Sequence, residues 1–229
     1  MFLNNYLLQH LIQKEYIKFY FVHIAKCAGT TIYHQLPSTY NFLYYGTYSI
    51  NDNIHSIQKL NFKKYPRITR ISLDHLTIQE AYNIGLLNDT DIKNKDFIVL
   101  WRNPMDRFIS ICNHLKINPD VLIDRLKCHE KDPECKTILG RKSWYMTTTD
   151  ILQWNGIKIN SINFLFNDFI SINDQFKKYG IEIKNIHLNS TGEKKRLYDK
   201  TNLNETHIEF INEFYKEDYI QYKQLLNQK

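Results

Sequence analysis

Residues 20–36 read YFVHIAKCAGTTIYHQL, and this stretch decides the fold. It begins with β-branched and aromatic residues, continues through small residues around Lys26, and ends in an amphipathic segment. This order predicts a β-strand, a tight loop and the start of a helix. The first N–H groups of a helix have no partner within the helix and carry the positive end of its dipole. We therefore expect the junction to bind a phosphate or sulfate group.

The loop residues suit that role. Small side chains let the backbone close around an anion, the lysine adds a full charge, and two threonine hydroxyls complete the set of donors. An ordinary strand-to-helix turn in an α/β core is the alternative interpretation. The predicted anion-binding residues are Lys26, Cys27, Ala28, Gly29, Thr30 and Thr31.

The order of residues differs from that of a kinase-type P-loop. In G-x-x-x-x-G-K-[ST] the lysine follows the last glycine, and the next hydroxyl holds Mg²⁺. Here Lys26 precedes Gly29 and the threonines. The sequence therefore disfavours a Mg²⁺-dependent nucleotide kinase or hydrolase.

Two further strands are followed by polar residues. Residues 96–101, DFIVLW, form an apolar run typical of a buried parallel strand, and Arg102 and Pro104 come directly after it. Residues 68–73 fit another strand, followed by His75 and a capping-box pattern from Thr77 to Glu80.

Alternating strands and helices predict an α/β fold with one doubly wound parallel sheet and helices on both faces. The chain length favours a single domain over residues 1–229. The other predicted elements are a helical lead-in over residues 1–18, strands at 162–166 and 183–188, a helix from 168 to Gly180 and a C-terminal helix over 204–226. Residues 40–61 and 131–156 are predicted to be mainly loops.

In such sheets ligands bind at the carboxyl ends of the strands. Lys26, His75 and Arg102 each follow a predicted strand, so we expect all three side chains to face one crevice.

The paired motifs resemble those of the sulfotransferase superfamily that uses 3′-phosphoadenosine-5′-phosphosulfate (PAPS). Lys26-x-small-Gly-Thr-Thr is similar to its 5′-phosphosulfate loop. Arg102 and Ser110, in WRNPMDRFIS, are similar to its 3′-phosphate motif. The resemblance implies a P-loop-like sulfotransferase fold, PAPS as donor, 3′-phosphoadenosine-5′-phosphate (PAP) as product, and no metal.

Within that superfamily the chain is most similar to the carbohydrate O-sulfotransferases of the heparan and chondroitin type. Residues 74–77, DHLT, resemble their histidine segment, which makes His75 the expected general base and a glycan hydroxyl the expected acceptor. His34, His114 and His187 are rival bases, and His23 is expected to be structural. Two departures are Ala25, where a proline is common, and the lack of a recognisable membrane anchor or stem.

Charge and composition bear on the partners and the location of the protein. The net charge is +6. We interpret two basic clusters as solvated surface: Lys63, Lys64, Arg67 and Arg70, and Lys194, Lys195 and Arg196. No nucleic-acid motif accompanies them, so no nucleic-acid partner is expected.

The four cysteines lack zinc spacing, and whether Cys128 and Cys135 are bridged stays open. No signal peptide or membrane span is recognised, which predicts a soluble, cytoplasmic protein, and the residue bias suggests a virus or an AT-rich genome.

Three functional hypotheses result. The first is a PAPS-dependent O-sulfotransferase in which Lys26 and His75 act in catalysis. The second is a nucleotide kinase of related fold. The third is a non-catalytic module that keeps the fold and binds a glycan or another anion.

Overall fold

The computed structural model describes residues 19–29, 32, 47–49, 60–166, 169–178, 182 and 196–228. The architecture of this part is α/β, with most of the strand pairing parallel. Its strands are β1 (Phe19–Val22), β2 (Thr47–Ser49), β3 (Arg70–Ser72), β4 (Asp96–Trp101), β5 (Ile138–Leu139), β6 (Gln153–Trp154), β7 (Ile157–Lys158) and β8 (Ser161–Leu165). Its α-helices are α1 (Ile78–Asn83), α2 (Asp89–Asn94), α3 (Pro104–Leu115), α4 (Pro119–Lys127), α5 (Thr148–Ile151), α6 (Phe169–Lys177), α7 (Glu205–Phe214) and α8 (Lys216–Asn227).

The central sheet has the order β1-β4-β8, and both strand pairs are parallel. Phe21 pairs with Ile98, and Ile98 in turn pairs with Ile162. Five of the six residues of β4 are buried, as expected for a middle strand covered on both faces. Because β1 and β4 are parallel neighbours, the chain segments that follow them lie side by side. This places the Lys26 loop next to Arg102.

The strand predicted at residues 68–73 does not join this sheet. It is present as β3, but it pairs antiparallel with β2 and parallel with β5. The prediction of one sheet containing all three strand ends is therefore wrong. The partner strand β2 lies in a tyrosine- and asparagine-rich stretch with weak periodicity, which was interpreted as a connection. Pairing between strands so distant in sequence depends on tertiary packing.

Several local predictions are confirmed. The strand at residues 96–101 has the predicted bounds, and Pro104 occupies the first turn of α3. Thr77 and Glu80 form the predicted reciprocal capping box at the start of α1. The strand predicted at 162–166 is β8, shifted by one residue. The loop-rich stretch 131–156 contains only short elements, among them β5, α5 and β6.

The C-terminal helix is divided, which corrects the prediction of one helix over 204–226. Tyr215 separates α7 from α8 with φ −100° and ψ 21°. The hydrogen-bond ladder continues across it, because Tyr215 N–H donates to the Ile211 carbonyl and Tyr219 N–H to that of Tyr215. Tyr215 is fully buried, whereas Ile208, two turns before it, is 38% exposed.

Other predictions fall outside the described residues: the lead-in helix, the strand at 183–188, the end of a helix at Gly180, and the side chains of Thr30, Thr31, His34 and His187. All four cysteines are free thiols, so Cys128 and Cys135 are not bridged. In the described part of the chain, no helix combines the length and apolar character that crossing a bilayer requires.

Candidate functional site

The chain leaves β1 through a turn at residues 25–28 and becomes helical at Gly29; residues 25–29 are called the Lys26 loop below. Lys26 and Ala28 have φ values of 67° and 62°, in the left-handed region that costs a residue with a side chain about 1–2 kcal/mol. Cys27 between them has an ordinary negative φ. Alternation of this kind turns successive N–H groups toward one side and makes a concavity suited to an anion.

Two arginines from the β4–α3 junction hold this backbone in place. Arg102 donates from its guanidinium Nη1 to the Lys26 carbonyl at 2.8 Å, and Arg107 donates from Nε to the Ala25 carbonyl at 3.2 Å. The Arg102 backbone N–H also bonds the Cys27 thiol. Three successive carbonyl or thiol groups of the loop are thus held from one neighbouring segment, which offsets the cost of the left-handed residues.

The Lys26 ammonium lies in a cationic environment. Its Nζ is 3.4 Å from Nδ1 of His114 on α3. Partial burial and the charge of Arg102 lower the pKa of Lys26. Among the described residues, neither Lys26 nor Arg102 forms an ion pair with a carboxylate. Two neighbouring cations without an acidic partner favour an anionic ligand.

Cys27 does not fit its predicted role as an anion ligand, because its backbone N–H already donates to the Ile24 carbonyl at 3.2 Å. Its side chain is 1% exposed, and burial raises the pKa of the thiol, so the residue is an unreactive core group. Gly29 is required for packing, because a Cβ at this position would overlap the ring of His23. Ala28 N–H and Gly29 N–H make no hydrogen bond to another described residue, which leaves them as donors at the start of the helix.

Arg102 and Ser110 come from one strand–helix unit. Arg102 follows β4, and its guanidinium lies 5.9 Å from the centre of the Phe166 ring, within range of a cation–π contact. Ser110 is half-buried on α3. It precedes His114 by one helical turn, so the two share the face of α3 that approaches the Lys26 loop. The structure brings Lys26 and Arg102 into contact and places Ser110 on the adjoining helix face.

His75 reaches the same region from the second sheet. It ends a 3₁₀ turn, Leu73–His75, that follows β3 directly. Its Nδ1 is 3.3 Å from the His23 carbonyl oxygen, and its ring centre is 4.5 Å from that of His23. His75 therefore lies near the loop although its strand belongs to another sheet. That His75 shares one crevice with Lys26 and Arg102 stays a prediction, and β3 is not part of the sheet from which it was argued.

His23, Asp74 and His75 form a buried group that we call the histidine cluster. His23 Nδ1 and His75 Nε2 are 3.7 and 3.5 Å from Oδ2 of Asp74. Burial is the main cause that lowers the pKa of both imidazoles; for His75 the Asp74 carboxylate opposes this effect. Both rings are thus held in the neutral form around a single carboxylate.

Trp144 links the cluster to the loop, and the sequence is compatible either with a pocket-lining role for it or with core packing. Its ring packs edge-on against His75 at 5.2 Å and is stacked with His114 at 4.9 Å. Burial, together with Lys26, Arg141 and His75, lowers the pKa of His114 to about 4. The sequence offered one signal, an aromatic pair in a loop-rich stretch, which was equally compatible with core packing.

Arg107 and Asp218 were missed. The Arg107 guanidinium is 1% exposed, lies 3.8 Å from Asp218, and packs over the ring of Tyr215 at 5.7 Å. Asp218 in turn accepts from the backbone N–H groups of Thr148 and Thr149 at 2.7 and 3.0 Å. A usable signal existed, because Arg107 stands beside Phe108 and one turn before Ile111 on the apolar face of α3. This buried network supports the Lys26 loop, because Arg107 also donates to the Ala25 carbonyl.

Comparison with protein-family models gives no match, and searches of curated proteins and of solved structures find no similar chain.

Proposed function

We propose that this protein is a PAPS-dependent sulfotransferase that moves a sulfuryl group to an acceptor hydroxyl, with a carbohydrate as the expected acceptor. The proposal includes the P-loop-like sulfotransferase fold, with a doubly wound sheet. One observation carries it: Lys26 and Arg102 follow neighbouring parallel strands and are joined by the 2.8 Å bond from Arg102 to the Lys26 carbonyl. Two cations, and two N–H donors that lack a partner among the described residues, suit a ligand with two separate anionic groups.

In this proposal the 5′-phosphosulfate lies against the Lys26 loop. The acceptor oxygen attacks sulfur, an S–O bond forms, and the bond from sulfur to the bridging phosphate oxygen breaks. The electron pair of that bond stays on the leaving nucleotide, where negative charge accumulates. The Lys26 ammonium and the Ala28 and Gly29 N–H groups are suited to stabilise this charge. Thr30 and Thr31 stay predicted ligands.

Arg102 and Ser110 are assigned to the 3′-phosphate. One Nη1 hydrogen of Arg102 is engaged by the Lys26 carbonyl, and a guanidinium has further N–H donors available for a phosphate. Ser110 is half-buried on α3, so its hydroxyl is partly accessible to a ligand. The nucleotide would then bridge the loop and helix α3.

His75 is proposed to accept the proton of the acceptor hydroxyl. Because its Nδ1 donates to the His23 carbonyl, the neutral ring carries its lone pair on Nε2. Its side chain is 10% exposed, with Asp74 facing Nε2 and Trp144 packed edge-on against the ring, so an acceptor would have to displace part of this packing to reach it. His114 is the rival base, since its ring is more exposed and contacts Lys26 directly. Burial and the neighbouring cations lower the pKa of His114 to about 4, which makes it a weaker base than an unperturbed imidazole.

Two other functions are compatible with an anion-binding loop. A nucleotide kinase would need a Mg²⁺-binding hydroxyl after a Gly-Lys pair, an order that the chain lacks. A non-catalytic anion-binding module would use the same loop but would not transfer the group.

The direct test is incubation of the full chain with sulfur-labelled PAPS and separate panels of glycans, peptides and small alcohols. Transfer of label to a glycan, with release of PAP, is the expected result. Lys26→Met is the matched control, because it removes the charge and keeps an unbranched side chain only one atom shorter. Binding of PAP without transfer to any acceptor would favour the non-catalytic module, and Mg²⁺-dependent transfer from ATP would favour the kinase.

A further inference from the structure

The histidine cluster has three metal-ligating atoms that face one another. His23 Nδ1, Asp74 Oδ2 and His75 Nε2 all lie within 4.8 Å of one another. The residues come from two separate chain segments, one after β1 and the other after β3. Each is 8–9% exposed, so the cluster is enclosed but not sealed from solvent.

The distances fit a shared ion better than direct hydrogen bonds. The carboxylate oxygen is 3.7 Å from His23 Nδ1 and 3.5 Å from His75 Nε2, longer than the usual hydrogen-bond range of about 2.7–3.2 Å. Ligands bound tetrahedrally at about 2.0–2.1 Å from a zinc ion stand about 3.4 Å apart. Both measured separations are close to that edge length.

The groups around the cluster orient the ligands. His75 donates its Nδ1 proton to the His23 carbonyl at 3.3 Å, which leaves the Nε2 lone pair directed at Asp74. Ser72 donates its hydroxyl proton to the other Asp74 oxygen, Oδ1, at 2.9 Å, so Oδ2 is left for a ligand. Metal-binding histidines and carboxylates commonly have such outer partners.

The charges are also compatible with a divalent ion. Two neutral imidazoles and one carboxylate are the donors that zinc-class ions prefer. Lys26 and Arg141 are the cations that oppose binding, since both act on the His75 imidazole. An anion on the Lys26 loop would offset part of that repulsion.

We infer that His23 Nδ1, Asp74 Oδ2 and His75 Nε2 form a binding site for one zinc-class divalent ion, whose fourth position is open to water. The inference departs from the expectation that the protein binds no metal. It does not depend on sulfotransferase activity. If the protein both binds zinc here and is a sulfotransferase, the ion occupies the Nε2 lone pair that His75 would use as a base. Bound zinc would then inhibit sulfuryl transfer.

The test uses the full chain, freed of metal by a chelator and then titrated with Co²⁺ and with Zn²⁺. Wild type should bind one ion per chain, with a rise in melting temperature and visible Co²⁺ bands of nitrogen and oxygen ligation. Asp74→Asn keeps the shape of the side chain and should abolish most of the binding. Ser72→Ala removes only the outer hydrogen bond and should weaken affinity by about 10–100-fold.

His129→Ala, on a histidine outside the cluster, is the matched control and should bind like wild type. Circular dichroism of each metal-free variant establishes that it is folded, and His75→Gln replaces any variant that is not. Failure of the folded wild type to bind either ion would overturn the inference. So would undiminished binding by Asp74→Asn and His75→Gln, or a thiolate-to-cobalt band, which would place the ion on a cysteine.

Discussion

The Lys26 loop and the histidine cluster meet at Gly29, yet their charges are opposite in kind. In the loop, Lys26 and Arg102 are neighbours, and no described carboxylate pairs with either. In the cluster, the Asp74 carboxylate lies between two imidazoles that burial keeps neutral. The loop is therefore suited to hold an anion, and the cluster to hold a proton or a cation. A transfer reaction between an anionic donor and a protonated acceptor needs one site of each kind.

The two regions also differ in how they are held. The Lys26 loop is fixed by hydrogen bonds from the adjacent β4–α3 segment, within one sheet. The histidine cluster is fixed by contact between two sheets, through the bond of His75 to the His23 carbonyl. The loop should consequently tolerate changes in the second sheet better than the cluster tolerates changes in the loop.

The largest expected effect is on turnover, from His75→Ala. If the cluster handles the proton and the loop handles the nucleotide, this change should lower turnover by about 10²–10⁴-fold and leave PAP affinity nearly intact. Turnover is measured with labelled PAPS and affinity by calorimetry with PAP. His114→Ala is the matched control, because it removes the other histidine that contacts Trp144. A larger loss in His114→Ala than in His75→Ala would transfer the role of base to His114.

The next largest effect is on nucleotide affinity, and it distinguishes binding of the 3′-phosphate from binding of the 5′-phosphosulfate. Arg102→Ala and Ser110→Ala should weaken binding of PAPS much more than binding of adenosine 5′-phosphosulfate, which lacks the 3′-phosphate. The loss of each charge-assisted bond should cost about 1.5–3 kcal/mol. Since Arg102 also holds the Lys26 carbonyl, Ser110→Ala is the cleaner probe. Equal losses for both nucleotides would mean that these residues support the loop rather than the 3′-phosphate.

The contrast between the regions explains what the sequence could predict. Strand β4, Pro104 and the Thr77–Glu80 capping box follow from rules that act within a few residues, and each is confirmed. The adjacency of Lys26 and Arg102 required one further step, the parallel pairing of two strongly apolar strands.

The histidine cluster could not be predicted in the same way. It depends on β3 pairing with β2 and β5, and these strands have three and two residues. Such short strands carry little periodicity, so their partners are chosen by tertiary packing. The role of Trp144 between His75 and His114 has the same origin. The break at Tyr215 is a further case, because the apolar spacing of 204–226 continues through it.

The point of contact between the regions gives the third prediction. Gly29→Ala should destabilise the fold by about 1–3 kcal/mol, because the added Cβ would overlap the His23 ring and force it to move. Urea unfolding of wild type and variant measures the difference. Gly85→Ala is an informative comparison, since its Cβ would meet nothing within 4 Å, and its cost would come only from a φ of 80°. A Gly29→Ala variant as stable as wild type would show that the loop and the cluster are not packed together.

The smallest effect is the pH dependence of stability that His114 contributes from its position between the regions. Its pKa is lowered to about 4 in the folded chain, against about 6.5 when unfolded, so the unfolded chain binds more protons between these values. Stability should therefore be fully present above about pH 6.5 and should decrease as the pH falls toward about 4. The effect is modest because solvent screens a partly exposed ring.

His114→Gln should flatten this part of the curve of unfolding free energy against pH, and the difference between the two curves isolates His114 from the other histidines. The NMR titration of the His114 ring gives the same quantity directly. In Lys26→Met the pKa of His114 should rise, since Lys26 is one of the charges that lower it. An unchanged value in Lys26→Met would mean that burial, Arg141 and His75 set the pKa of the ring without Lys26. The ammonium of Lys26 would then point away from α3, and the nucleotide would have to lie on the other side of the loop.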